Sequence, residues 1–211
     1  MSHELRTPLS RIRFATDLIG AAKDDEERQR RLASLETATE ELDELVGELL
    51  SYVRAETTSP QFELEPLALR EVLDVLIPKH VALHPAIQFD VDKGVADETV
   101  ILAERAGLQR VLGNLLSNAG RFAQSRVTIS AQSTAGTTIV DMDDDGPGIP
   151  ESEREQVFQP FVRLPGNSPD RGVGLGLALV KRIVAQHGGS VEALTSPLGG
   201  CRIRTTWPAR D

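Results

Sequence analysis

The sequence predicts an α+β protein in two parts, a helical hairpin followed by a segment in which helices and strands mix. Three observations carry that reading. Apolar residues recur at heptad spacing through the first 56 residues, a proline-bearing stretch without periodicity follows at 57–66, and beyond it β-branched runs interleave with helical ones.

Of the 211 residues 40% are apolar, enough to bury a core. Lysine and arginine number 23 against 32 Asp and Glu, a net charge of −9 and the wrong sign for holding a phosphate backbone by counterion release. A general nucleic-acid binder does not fit. The single cysteine, Cys201, permits no internal disulfide and no cluster of soft metal ligands, which points to a reducing compartment and excludes a zinc ribbon. The longest run of apolar residues and glycine, 173–180, falls far short of the roughly 20 residues that span a bilayer. The polar, charged N-terminus lacks a signal-peptide h-region.

In the first part, Leu5, Leu9, Ile12, Thr16 and Ile19 recur at spacings of 4, 3, 4 and 3. Leu32, Leu35, Thr39, Leu42, Val46, Leu49 and Val53 alternate 3 and 4 in the same way. Both sets are narrow heptad seams. Residues 23–25 form the turn, with Asp24 as N-cap and Glu27 three residues on. One hairpin has little core of its own, so the seams are expected to close a four-helix bundle with a second copy, as a homodimer.

After the linker at 57–66 the pattern predicts a helix over 67–76, strands over 87–91 and 99–102, and a long helix over 104–123 with Leu108, Leu112, Leu115 and Ala119 on one face. Further strands are expected at 127–131, 137–142, 190–194 and 202–207. A last helix over 176–187 stops at Gly188 and Gly189.

Four constellations carry chemistry. The first is Ser2-His3-Glu4-Leu5-Arg6-Thr7-Pro8-Leu9. The heptad puts Ser2 on the seam and His3 one residue off it, at the flank of a bundle. There an imidazole can act as a nucleophile, with Glu4 accepting the Nδ1 proton and Nε2 left free to attack. Pro8 removes the helical hydrogen bond to the Glu4 carbonyl and is expected to kink the helix. Alone, His-Glu reads as a solvated surface pair. The second is Asn114, Asn118 and Arg121, whose spacings of 4 and 3 set them on one helix face, roughly 120° from the leucine face. Amide oxygens suit a hard cation such as Mg²⁺ that shares phosphate oxygens with its ligand, and an arginine can clamp those phosphates.

The third follows the strand at 137–142. Asp141, Asp143, Asp145 and Gly146 imitate the opening of a calcium loop, but the twelfth position is Ser152 where a bidentate Glu is required, and a strand precedes the run. The better parse is Asp144-x-Gly146-x-Gly148: a carboxylate at a strand end that accepts from an exocyclic amino group, and two glycines that let backbone approach a flat ring. The fourth is Gly172, Gly174 and Gly176, leading into a helix whose N-terminal N–H groups form an anion site. It is neither a Walker loop nor the dinucleotide fingerprint, since no Gly-Lys-Ser/Thr follows and Leu177 stands where the third glycine belongs. Between the third and fourth lie Phe158, Pro160, Phe161 and Arg163, then a Gly/Pro-rich stretch suited to a lid.

In this order, Ser-His-Glu-Leu-Arg-Thr-Pro-Leu, Asn-Leu-Leu-Ser-Asn-Ala at 114–119, Asp144-Asp-Gly-Pro-Gly-Ile, Phe158-Gln-Pro-Phe161 and Gly172-Val-Gly-Leu-Gly-Leu-Ala-Leu-Val resemble the transmitter region of orthodox bacterial two-component sensor histidine kinases. The resemblance covers essentially the whole chain. It implies a dimerisation and histidine-phosphotransfer hairpin over 1–56, the linker 57–66, and a Bergerat-type ATP-binding two-layer α/β sandwich over 67–211. By the same resemblance His3 is the phosphoacceptor, Glu4 its base, and Thr7 the residue that orients water when the partner is dephosphorylated. Asn114 and Asn118 serve Mg²⁺ and phosphates, Arg121 the phosphates, and Asp144 the adenine amino group. Gly146, Gly148, Gly172, Gly174, Leu175 and Gly176 line the nucleotide, together with Phe158 and Arg163.

What the family implies is ATP-dependent autophosphorylation on histidine, phosphoryl transfer to an aspartate of a response-regulator receiver domain, and phosphatase activity on that regulator. ATP and Mg²⁺ are the implied cofactors. The implied setting is the cytoplasmic portion of a bacterial inner-membrane receptor, reaching the membrane only through segments outside this chain. A Bergerat-type scaffold or serine kinase without histidine phosphotransfer is the alternative, against which the His-Glu-x-x-Thr-Pro hairpin speaks. Two departures stand out: Val173 replaces a frequent Ser or Thr, and Gly120 inside the asparagine helix, at roughly 1 kcal/mol against Ala, is expected to loosen the site. His80 and His84, flanked by Pro78 and Pro85 with no carboxylate to complete a set, are poor metal ligands, and His187 reads as a helix-end residue.

Overall fold

A computed structural model describes residues 2–19, 24–57, 63–92, 95, 99–134, 136–164 and 174–208, with the backbone alone at 2–9, 11, 40–41, 43–45 and 48–57. The chain divides into two units, Met1–Glu56 and Thr57–Asp211.

The first unit is the hairpin of α1, Ser2–Ile19, and α2, Asp25–Thr57. Helix α1 continues unbroken through Pro8. Asp24 caps α2 as its side chain dictates, Oδ1 accepting the Glu27 N–H at 2.7 Å. Arg31 of α2 reaches back to the Leu18 carbonyl at the end of α1 and also pairs with Glu27, so a cation satisfies an orphan helix-end carbonyl. Ala15 and Ala38 are the side chains buried here among those described, and neither lies on the heptad stripe. The stripe itself stays partly open, with Leu32 and Val46 exposed. Its two threonines are fitted for an apolar seam because each hydroxyl is satisfied within its own helix, Thr16 Oγ1 donating to Ile12 O at 2.9 Å and Thr39 Oγ1 to Leu35 O at 2.8 Å.

The second unit runs β1 (Glu65–Ala68), α3 (Leu69–Leu83), β2 (Gln88–Val91), β3 (Val100–Ala103), α4 (Arg105–Phe122), β4 (Arg126–Thr134), β5 (Thr137–Asp144), α5 (Gly176–Gln186), β6 (Ser190–Thr195) and β7 (Cys201–Pro208). Two short 3₁₀ turns, Glu151–Glu153 and Gln156–Phe158, lie between β5 and α5. The main sheet has the order β2-β4-β5-β7-β6, antiparallel except for the β2–β4 edge, and β1 pairs with β3 in a separate ribbon. Alternation sorts the two faces. Cys201, Ile203, Thr205 and Trp207 of β7 point into the core and Arg202 and Arg204 point out, while Val140 and Met142 of β5 and Leu108, Leu112 and Leu115 of α4 are buried where α4 packs on β5. Each such leucine contributes roughly 1.5–3 kcal/mol.

Three expectations need correction. The stretch expected to be linker up to 66 and helix from 67 instead contains β1; Pro66 is tolerated because a two-stranded ribbon consists of edges, where a missing N–H costs no ladder bond. Helix α3, expected to end at 76, passes through Pro78 and ends at Leu83. Gly120 does not loosen α4. It is where the His84 ring lies against the helix, and a β-carbon there would come within 2.5 Å of His84 Cδ2.

That contact belongs to a histidine pair at the end of α3, His84 being its C-cap residue. His80 is 8% exposed and its Nδ1 has no hydrogen-bond partner among the described residues. Burial, then the neighbouring His84 and Lys79, lowers the His80 pKa; burial, then Arg121, lowers that of His84. A histidine whose pKa drops on folding takes up protons more readily unfolded, so its stability contribution is complete above about pH 6.5 and is lost as pH falls through the lowered folded values. Denaturant unfolding followed by fluorescence of Trp207, the sole tryptophan, is expected to show stability falling from pH 7 to pH 5. His80→Leu is expected to flatten that slope, and an unchanged slope would assign the loss to other groups.

Candidate functional site

The site is built where β5, β7 and α4 end together. Asp144 closes β5 and is 4% exposed. Among the described residues its carboxylate is bound through one oxygen: Oδ1 accepts the Gly146 N–H at 2.8 Å and the Cys201 N–H at 3.2 Å. Oδ2 is the acceptor that remains for a ligand. Burial raises the Asp144 pKa above its ordinary value; the Cys201 and Gly146 N–H groups oppose the rise, and the charges of Asp145 and Asp143 add to it.

Glycine is required around this carboxylate by contact distance. A β-carbon on Gly146 would collide with the Phe122 carbonyl oxygen at the end of α4. One on Gly200 would strike the Gly146 nitrogen and lie 2.5 Å from both the backbone oxygen and Oδ1 of Asp144. Gly148, at φ +72°, completes the turn beneath Gly200. The sequence places neither Gly200 nor Cys201 at this site; the Gly199-Gly200 pair opening a strand is the local sign of them, because the partner that Cys201 meets is 57 residues away.

The neighbouring acids are fully engaged. Asp143 and Asp141 lie opposite Arg202 and Arg204 on the outer face, and each pair is a two-pronged bond of 2.8–2.9 Å. Asp145 turns the other way. Its Oδ1 accepts the N–H groups of Gln124, Ser125 and Arg126 at 2.8, 3.0 and 3.1 Å, and Oδ2 accepts the Ser125 hydroxyl at 2.6 Å. These partners account for why the acidic run is no calcium loop. Among the described residues no group of three or more His, Cys, Asp or Glu is placed to hold a metal ion.

Helix α4 carries the amides. Glu104 caps it, Oε2 accepting the Gly107 N–H at 2.9 Å, and the Glu104 N–H in turn donates to His187 Nε2 at 3.1 Å. His187 Nδ1 donates to Ile183 O at 2.7 Å, so both ring nitrogens serve the junction of α4 and α5. Asn114, Asn118 and Arg121 are all half-buried. The Asn114 Nδ2 donates to Arg110 O at 2.8 Å, which turns Oδ1 toward α5, 2.9 Å from where a β-carbon on Gly176 would sit. An amide oxygen is thereby presented beside the first residue of α5. A donor set of amides without an acidic cluster fits Mg²⁺ only in the form that brings phosphate oxygens as further ligands.

Helix α5 begins without a side-chain cap and without an acid in its first turn, with Leu175 buried at the N-cap position. Gly174 precedes it at φ +78°, its carbonyl accepting the Phe161 N–H at 2.9 Å, and a β-carbon there would lie 2.7 Å from Val162 O. Arg163 packs beside the same glycine. Phe158 is buried, with the Lys181 ammonium 5.9 Å from its ring centre. Gly172 lies outside the described residues, as do the side chains of His3, Glu4 and Thr7, whose backbone is the start of α1.

Two family models match the chain. One, described as histidine kinase-, DNA gyrase B- and HSP90-like ATPase, matches residues 103–211, and the other, the His Kinase A (phospho-acceptor) domain, matches residues 1–58. Sensor protein RstB of Escherichia coli K12 is 38% identical over 99% of this chain and 47% of its own length. A mycobacterial sensor histidine kinase, MprB, superposes with a TM-score of 0.61 at 30% identity, over 69% of this chain and 99% of that one. Full-length ShkA in complex with AMPPNP does so at 0.67 and 27% identity, over 100% of this chain and 45% of that one. The chain spans about half the length of the curated relatives it matches.

Substituting Gly200 by Ala is expected to weaken nucleotide binding by about fivefold or more, on the order of 1–3 kcal/mol of strain and overpacking beside Asp144. Gly113→Ala, with nothing within 4 Å of the added carbon, is the control and should stabilise α4 by about 1 kcal/mol. Calorimetric titration with ATP distinguishes the two; equal affinities for both variants would show that the close approach at Gly200 does not bear on the ligand.

Proposed function

We propose that this chain, which belongs to the histidine kinase-, DNA gyrase B- and HSP90-like ATPases and is the transmitter region of a bacterial two-component sensor histidine kinase, phosphorylates His3 from ATP and passes the phosphoryl group to an aspartate of a response-regulator receiver domain. The observation that carries the nucleotide half is the Asp144 carboxylate, fixed through Oδ1 with Oδ2 left to accept from the adenine amino group. Gly146, Gly148 and Gly200 keep the wall beside it free of side chains. The uncapped start of α5, with Gly174, Leu175 and Gly176, supplies N–H groups to phosphate oxygens.

Asn114 and Asn118 are the residues to hold Mg²⁺ through their amide oxygens. When bound, the ion neutralises charge developing on the phosphate oxygens. Arg121 and Arg163 add positive charge, and Phe158 with Lys181 supports the segment that leads to α5. Gly172 joins the same anion site by its place in the motif. In the transfer, the His3 Nε2 lone pair forms the new N–P bond as the bond from the γ-phosphorus to the bridging oxygen breaks, and ADP leaves with that electron pair. Glu4 takes the Nδ1 proton. In the second step the phosphoryl group leaves Nε2 for a carboxylate oxygen of the receiver aspartate. Thr7 serves the reverse sense of signalling by orienting water against the phosphorylated regulator.

The hairpin supports a dimer because its heptad stripe remains partly exposed within one chain while Ala15 and Ala38 carry its internal packing. We assign residues 1–56 to dimerisation and phosphotransfer, the residues from 57 up to β1 to the connection, and the chain from β1 onward to catalysis. The setting is the cytoplasmic side of a bacterial inner membrane. Among the described residues no helix is long and apolar enough to cross a membrane, and the longer relatives are sensor proteins.

His3→Gln is expected to abolish acid-labile label from γ-labelled ATP while leaving ATP affinity unchanged, since His3 and the nucleotide wall belong to different units. Acid-labile label on the variant would place the phosphoacceptor elsewhere. Asp144→Asn is expected to weaken ATP by about tenfold or more, the loss of a charge-assisted hydrogen bond worth roughly 1.5–3 kcal/mol. A calorimetric dissociation constant unchanged by that substitution would remove Asp144 from the adenine.

A further inference from the structure

Asp145 stands beside the adenine acceptor and takes no part in the chemistry above. Its placement is costly. It is the third acid in a row, adds like charge to Asp144, and sits just past the C-terminus of α4, where the helix dipole disfavours an anion. What it receives in return is a set of donors that no neutral side chain of its size accepts together. Burial would raise its carboxyl, but the side-chain and backbone hydrogen bonds from Ser125, with those from Arg126 and Gln124, hold it well below the usual carboxylate range. The Asp145 N–H also donates to Arg126 O at 3.3 Å. Backbone and side chain of one residue therefore fasten the turn to the loop after α4.

The residues on either side of Asp145 are the ones that matter to the ligand. Gly146 holds Asp144 Oδ1 by its N–H and rests against the Phe122 carbonyl. With Asp145 pinned, the Gly146 N–H cannot drift, and Asp144 keeps one rotation about its carboxylate. Without the pin, the 3.2 Å bond from the Cys201 N–H is the hold that remains. A carboxylate fixed in place discriminates between purines. It accepts from the amino group of adenine, but it opposes the carbonyl oxygen that guanine carries at the same ring position, an acceptor against an acceptor. A carboxylate free to turn loses the first interaction and escapes the second.

We propose that Asp145 is a positioning residue that sets the preference for ATP over GTP, by clamping the turn to Gln124, Ser125 and Arg126 so that Asp144 is held rigid. This rests on the assignment of Asp144 to the adenine amino group. The test is the pair of dissociation constants for ATP and GTP, measured by calorimetry on the full chain and on Asp145→Ala, Ser125→Ala and Asp144→Asn.

The ATP-over-GTP preference should fall by about tenfold in Asp145→Ala, and by about threefold in Ser125→Ala, which removes only the hydroxyl bond to Oδ2. A general structural role would weaken both nucleotides by one factor and leave their ratio unchanged; that result in folded Asp145→Ala overturns the proposal. Should Asp145→Ala not fold, the ratio in Ser125→Ala decides in the same sense. If Asp144→Asn leaves the ratio unchanged, the adenine assignment itself fails and the proposal with it. If Asp144→Asn collapses the ratio and Asp145→Ala does not, Asp145 alone is excluded.

Discussion

The carboxylate of Asp144, buried at the end of β5 and held through Oδ1 by the N–H groups of Gly146 and Cys201, constrains three separate stretches of chain at once. A charge with this little exposure is tolerated only with donors around it. Backbone supplies them, and backbone can come this close only where side chains are missing. Hence Gly146 against the end of α4, and Gly200 against Gly146 and Asp144. The register of β5 on β7 follows the same demand. Asp143 opposite Arg202 and Asp141 opposite Arg204 lock the two strands by paired bonds on the outer face, which sets Cys201 beside Asp144 on the inner one. Burial on one face and charge pairing on the other serve a single alignment.

The hairpin obeys a different constraint. Two helices alone bury little, and among the described side chains the buried ones are the alanines Ala15 and Ala38, which fill no core. Leu32 and Val46 of the heptad are exposed. That division leaves a hydrophobic requirement which a second copy would satisfy. Seam threonines make sense in this light, because their hydroxyls are occupied by their own helix and make no demand on a partner.

Much of this could be read from residue order because the relevant signals are local. Helix α4 was readable from its leucine spacing, and its amide stripe from the 4 and 3 spacing of Asn114, Asn118 and Arg121. The Asp24 cap, the glycine stop after α5 and the turn at Asp144 are likewise short-range. What escaped depends on distant chain. Pro66 and Pro78 carry stop signals that the edge ribbon and the packing of α3 override. Gly120 resembles a flaw in a helix until His84, on another helix, is seen against it. Gly200, Cys201 and Asp145 do their work through contacts 19 to 57 residues away, and composition holds no trace of such a contact.

The hydrogen bond from the Phe161 N–H to the Gly174 carbonyl fastens the start and end of a stretch of twelve residues, 162–173. Joining two points of a chain costs entropy that grows only with the logarithm of the length enclosed, about 0.6 kcal/mol for each doubling. At those ends Val162 and Arg163 lie against Gly174, and neither contact depends on the number of residues enclosed. Insertions and deletions between Arg163 and Gly172 therefore cost folding little. Length can vary there over generations, while Arg163 and the glycines proposed for the phosphates hold their places.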